Sequence, residues 1–161
     1  GYIMNEYMKI AKDLAADNLN TNAGGPFGAC VVKNGKIIGK GSNNVLLKND
    51  PTAHAEIMAI RDACQNLNSY DLSDCELYTS CYPCPMCLSA IIWSNIKMVY
   101  YGNTKEDADS IGFRDEFIYD YIGKLAKGLQ DNHVLNLECI DRDKTIEEFE
   151  KFANKGDKTI Y

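Results

Sequence analysis

The chain has 161 residues, 45% of them hydrophobic, enough for one domain with its own core. Seventeen Lys and Arg against 23 Asp and Glu leave a net charge of −6. That balance argues against a phosphate-dominated nucleic-acid surface and favours a small neutral substrate. Apolar runs such as Ala90-Ile91-Ile92-Trp93 are far short of the roughly 20 residues that a transmembrane helix needs. The first residues offer no basic region followed by an apolar core, so no secretory leader is expected. Seven cysteines without such a leader imply a reducing, cytoplasmic setting, where clustered thiols bind metals or stay free.

In chain order, Ile3, Tyr7, Ile10, Ala11, Leu14 and Ala15 recur at three- and four-residue spacing and predict an amphipathic helix over residues 2–18. Asn34-Gly35, between Ala29–Lys33 and Lys36–Lys40, predicts a hairpin with a type I′ turn, because both residues tolerate positive φ. Asn43 and Asn44 follow at the strand end, where side-chain amides usually cap turns. Asp50-Pro51 has the form of a helix start, and Ile57, Ile60, Cys64 and Leu67 give that helix a core face. Cys75, Leu77 and Thr79 alternate as one face of a strand. Pro83 and Pro85 mark a second helix start, with Cys84 and Cys87 on one face. Residues 97–101 predict another strand, a polar loop runs from Gly102 to Arg114, and a helix begins near Asp115. Val134 to Ile140 alternates as a fifth strand, and Thr145 to Glu148 has capping-box form before a helix with Ile146, Phe149 and Phe152 on one face. The whole reads as a single α/β domain over residues 1–161, built on a five-stranded mixed sheet with an antiparallel hairpin at its N-terminal edge.

Two short segments carry the chemistry. His54-Ala55-Glu56 and Pro83-Cys84-Pro85-Met86-Cys87 together form the HxE and PCxxC pattern of zinc-dependent nucleobase deaminases. One imidazole and two thiolates supply the three protein ligands usual for catalytic zinc, leaving a fourth position for water. Glu56, not a ligand, is placed to move protons. Two residues along a helix point about 200° apart, so His54 and Glu56 can serve one site only at the helix N-terminus. A helix N-terminus also favours the thiolate forms of Cys84 and Cys87. The competing reading is a closed Cys₃His site in which Cys81, Cys84, Cys87 and His54 hold a structural zinc and catalyse nothing. Against it, the catalytic pattern is complete without Cys81, and a structural site leaves Glu56 without a role. His133, the only other histidine, has no ligand-spaced partner and reads as a surface or satisfied core residue.

Gly24-Gly25-Pro26-Phe27-Gly28-Ala29, Asn43-Asn44, Asn49 to Glu56, Tyr78-Thr79-Ser80-Cys81 and the PCxxC segment resemble the cytidine deaminase-like bacterial guanine deaminases. The zinc motifs specify only the superfamily. The Asn-Asp-Pro-Thr approach, Gly112-Phe113 with Asp115, and Phe152-Ala153-Asn154-Lys155 with a terminal Tyr161 point to the guanine branch. The resemblance implies a three-layer α/β/α fold, one zinc per subunit held by His54, Cys84 and Cys87, and hydrolysis of guanine to xanthine and ammonia in purine catabolism. By matching positions it implies Glu56 and Asp115 as catalytic residues and Phe27, Asn43, Ala55, Trp93, Asp115 and Tyr161 as substrate contacts. It also implies a homodimer in which the tail of residues 156–161 is exchanged with the partner subunit. This sequence departs from the pattern at Tyr82, where an acidic residue is usual before Pro-Cys, and at Arg114, which replaces an acidic residue beside Asp115. The rival activity is deamination of adenosine in tRNA, which uses the same zinc motifs. The acidic balance and the lack of a Lys/Arg cluster weigh against it. Cytosine and nucleotide deamination differ from guanine deamination mainly in pocket residues.

Overall fold

The protein is described over residues 2–161 by a computed structural model. Its elements run α1 (Glu6–Asp17), β1 (Gly28–Lys33), β2 (Lys36–Ser42), α2 (Val45–Lys48), α3 (Ala55–Leu67), β3 (Cys75–Cys81), α4 (Pro85–Trp93), β4 (Met98–Asn103), α5 (Lys105–Ser110), α6 (Glu116–Ala126) and α7 (Arg142–Ala153). They fall into two compact units, one ending at Tyr119 and one running Asp120–Tyr161.

In the first unit the strands lie in the order β2-β1-β3-β4. β1 pairs antiparallel with both β2 and β3, while β3 and β4 are parallel. The hairpin turn is the expected one, with φ of 50° at Asn34 and 76° at Gly35. Alternation along β1 and β3 sorts the core into two layers. Ala29, Val31 and Leu77 pack with Ala55, Ala59, Ala63 and Ile91 from α3 and α4. Cys30, Val32 and Tyr78 pack on the other side with Tyr7, Met8 and Ile10 of α1. The α1 helix is shorter than its apolar spacing suggests, because the Asn5 side chain accepts from the Tyr7 and Met8 N–H groups and caps it there.

The α3 helix lies unusually close to β2. A Cβ on Gly41 would stand 2.5 Å from both Ala55 O and Ala59 N, and one on Gly39 would stand 2.5 Å from Ala59 O. The two hydrogens of glycine therefore set the height of α3 above the sheet, and with it the position of its N-terminus.

Three expectations are corrected. Asp50-Pro51 does not start α3, which begins at Ala55. The Asp50 carboxylate instead accepts from Thr52 N at 2.9 Å and Thr52 Oγ1 at 2.7 Å, closing an Asx turn that leads into His54. The expected fifth strand at Val134–Ile140 is absent, and the sheet of the described residues has four strands. Val134, Leu135, Leu137 and Ile140 are all exposed, so the alternation there defines no buried face. The last helix begins at Arg142 rather than Thr145, and none of its residues is buried. Within the second unit, Lys124 of α6 pairs with Asp120 one turn earlier at 3.1 Å and ties the helix to the following loop through Asp131 at 3.0 Å.

Gly41→Ala is expected to cost about 1–3 kcal/mol, since the methyl meets backbone that can only move away. Gly123→Ala, inside α6, where an added Cβ meets nothing within 4 Å, is expected to gain about 0.5–1 kcal/mol from helix propensity. Thermal unfolding of the two variants beside the parent measures both signs.

Candidate active site

The site is assembled from two helix N-termini. His54 is the N-cap residue of α3, with extended backbone and its carbonyl accepting from Met58 N at 2.9 Å. Cys84 is the N-cap residue of α4, and its carbonyl accepts from Leu88 N at 2.8 Å. Pro85 occupies the first position of α4, where its missing N–H costs nothing and its fixed φ suits the helix. One turn then carries Cys87 to the same end. His54 Nδ1 lies 3.6 Å from Cys84 Sγ and 3.6 Å from Cys87 Sγ.

These distances test whether a metal fits. Zinc with N at about 2.0–2.1 Å and S at about 2.3 Å in a tetrahedron places N and S about 3.6 Å apart. The three donor atoms all lie within 4.8 Å of one another, and among the described residues no further His, Cys, Asp or Glu joins the group. Cys81 stays out of it, with its Sγ 3.7 Å from Thr104 O. The donor set is thus three protein ligands, the number that leaves one coordination position open.

The electrostatics agree with a cation site. The adjacent Cys87, assisted by His54, lowers the Cys84 thiol. The neighbouring Cys84, with burial added, pushes Cys87 upward. Hydrogen bonding with Cys84 raises His54. Burial pushes the Glu56 carboxyl up to about 7; this residue is 7% exposed and sits in the first turn of α3.

His54, Glu56 and Cys84 share the wall of a cavity of about 430 Å³ with Phe27, Asn43 and Ala55. A volume of this size is at the small-ligand end of the usual range. Phe27 meets the Phe113 ring edge-on, with centroids 5.0 Å apart. Asn43 is 6% exposed, and its Oδ1 accepts from Val45 N at 3.1 Å. The second amide that holds this corner, Asn18, donates from Nδ2 to the carbonyls of Gly25 and Asn43, each at 2.8 Å. Asp115 also lines the cavity, and burial raises its carboxyl.

One expected contact of the first unit, Trp93, is not on this wall. Trp93 ends α4 at the opposite end from Cys84 and is 68% exposed. Tyr161 belongs to the second unit and is 82% exposed. Conversely, Leu46, Tyr82 and Ala108 line the cavity without having been singled out as contacts. Leu46 comes from α2, a four-residue helix with too little periodicity to be read from sequence.

The family model for the cytidine and deoxycytidylate deaminase zinc-binding region matches residues 3–103. Guanine deaminase from Bacillus subtilis is 54% identical over 121 residues, covering 75% of this chain and 78% of that protein. A tRNA-specific adenosine deaminase from Haemophilus influenzae is 35% identical over 155 residues, covering 95% of this chain and 88% of that one. The crystal structure of guanine deaminase from Bacillus subtilis superposes with a TM-score of 0.89 at 45% identity, covering 98% of this chain and 99% of that one. The converging His-Cys-Cys donors, the α/β fold and these relatives lead to one conclusion: the chain belongs to the cytidine deaminase-like zinc hydrolases, in the branch of the bacterial guanine deaminases.

Proposed function

We propose that the chain hydrolyses guanine to xanthine and ammonia. The observation that carries this is the juxtaposition of Glu56 and the His54, Cys84, Cys87 donors with an aromatic and amide-lined cavity. Zinc, when bound by those three residues, supplies the Lewis acidity that makes water a nucleophile at neutral pH. The remaining work falls to the chain. Phe27 and Phe113 offer ring surface to a flat heterocycle, and desolvate it. Because Val45 N–H takes Asn43 Oδ1, what Asn43 can offer a purine is its amide N–H₂, a match for a carbonyl oxygen or ring nitrogen.

Hydrolysis joins the water oxygen to the ring carbon that bears the amino group and breaks that carbon–nitrogen bond. The Glu56 carboxylate would take a proton from the attacking water and give it to a ring nitrogen. It then moves the second proton to the departing amine. Asp115, at the cavity wall, assists at the purine edge.

In this reading the whole chain serves a single catalytic domain in the cytoplasm, consistent with its free thiols. Among the described residues, no helix is long and apolar enough to cross a membrane. A homodimer that exchanges the tail of residues 156–161 is supported by exposed apolar surface: Ile92 at 66%, Trp93 at 68%, and Phe149 on α7 at 75%. Such an assembly is the route by which Trp93 and Tyr161 would reach a pocket. The second reading, adenosine deamination in tRNA, is favoured by the likeness to the Haemophilus influenzae protein. The net charge of −6 weighs against it, because an RNA substrate needs several phosphate contacts.

Ammonia release measured on guanine, cytosine, adenine, aminotriazines and tRNA separates these readings. Guanine is the expected substrate, and activity confined to tRNA would overturn the proposal. Glu56→Gln is expected to retain stoichiometric zinc while turnover falls by about 10²- to 10⁴-fold, the usual worth of positioned acid–base catalysis. Cys81→Ser is expected to keep its zinc; metal loss there would favour the closed structural site. Removing residues 156–161 is expected to impair guanine turnover, and unchanged kinetics would take the tail out of the mechanism.

A further inference from the structure

One wall of the cavity is held by little besides itself. The segment from Thr104 to Asp115 contributes Ala108, Phe113 and Asp115 to the lining. Its polar contacts are mainly internal. Thr104 and Asp107 form a capping box, Ser110 Oγ donates to Asp107 O, and Arg114 Nε donates to Asp109 Oδ1 at 3.0 Å. Between Lys105 and Arg114 only Ala108 is buried. A segment with few buried contacts belongs to the low-stability end of a fold, and its placement depends on individual attachments.

Lys105 makes two of these attachments. Its Nζ sits 5.1 Å from the centroid of the Tyr82 ring and 4.6 Å from that of Tyr119, both within the reach of a cation–π contact. Each ring is itself fixed. Tyr82 packs edge-on against Tyr101 of β4, with centroids 5.0 Å apart, and lines the cavity. Tyr119 donates its hydroxyl to Pro83 O at 2.7 Å. The ammonium thus joins the ring of Tyr82 to that of Tyr119, which is itself bonded to Pro83, the residue between Tyr82 and the zinc ligand Cys84. The charge also reaches Asp115, whose carboxyl it draws down against the upward push of burial. The Tyr82 ring face holds the ammonium without adding a negative charge beside Cys84 and Asp115.

We propose that Lys105 is a positioning residue: seated over Tyr82 and Tyr119, it pins the Thr104–Asp115 segment against the Tyr82-Pro83-Cys84 segment and thereby sets how firmly Phe113 and Asp115 hold the substrate ring. The inference rests on the reading of the cavity as a guanine site. The Lys105 ammonium sits over the Tyr82 and Tyr119 rings rather than on His54, Cys84 or Cys87, so its removal is expected to act on binding and leave zinc in place.

The test compares Lys105→Met, which keeps the apolar stem and removes the charge, with Lys105→Arg, which retains a cation for both rings. Steady-state kinetics on guanine, calorimetric binding of xanthine, zinc content, and amide hydrogen exchange over residues 105–115 are measured for each. Two exposed cation–π contacts correspond to about 5- to 30-fold, so Lys105→Met is expected to raise KM and the xanthine Kd by that factor, with faster exchange in the segment and unchanged zinc. Lys105→Arg is expected to restore all three. Tyr82→Leu is expected to weaken binding similarly, and its combination with Lys105→Met to add less than the sum. Parental KM, Kd and exchange rates in Lys105→Met would overturn the proposal, as would an Arg variant no better than the Met one. If the parent chain does not deaminate guanine, the functional reading fails instead, and the exchange comparison still decides whether Lys105 pins the segment.

Discussion

The 3.6 Å separation of His54 Nδ1 from each of the two thiols depends on where two helices begin. Neither α3 nor α4 can shift along its axis or lift from the sheet without opening that triangle. For α3 the constraint is steric, because Gly39 and Gly41 let its backbone rest on β2 at a distance any side chain would forbid. For α4 it is covalent and short: β3 ends at Cys81, and Pro83 and Pro85 leave few conformations for the three residues before the helix. A helix N-terminus is also the one place on a helix where His54, Glu56 and unpaired N–H groups can serve a single point.

Around this rigid corner the remaining walls differ in how they are made. Asn43 is immobilised from both sides, by Val45 N–H on its side chain and by the Asn18 amide on its carbonyl. The Asp115 side of the cavity is instead carried by a surface segment held by one aromatic edge contact, one buried alanine, a thiol–carbonyl contact and the Lys105 ammonium. A site with a fixed chemical corner and a lightly attached opposite wall can align the reacting atoms while still admitting and releasing a flat ring.

Local features were legible because their causes are local. The Asn34-Gly35 turn follows from two residues that tolerate positive φ, and the α4 start follows from prolines flanking Cys84. The Asp50-Pro51 segment was misread for a related reason. An Asp that can cap a helix can equally close an Asx turn, and nothing nearby in sequence decides between them. The Val134–Ile140 segment alternates like a strand but has no sheet partner among the described residues. A strand needs another strand's edge to satisfy its backbone, and that is not encoded in the alternation itself.

The spacings alone were enough to define the donor set of His54, Cys84 and Cys87, with Glu56 beside it, and its placement at helix ends, since residues two apart on a helix diverge and residues three apart converge. What only the tertiary structure decided was which distant side chains complete the cavity. Tyr82, Leu46 and Phe113 line one cavity because two loops and the short helix α2 come together at the corner, while Trp93 is carried to the far end of α4 by the length of the helix that starts at the site. Their separations along the chain carry no periodic signal, and the contacts that bring them together, such as Lys105 between two tyrosine rings, exist only once the surrounding backbone is in place.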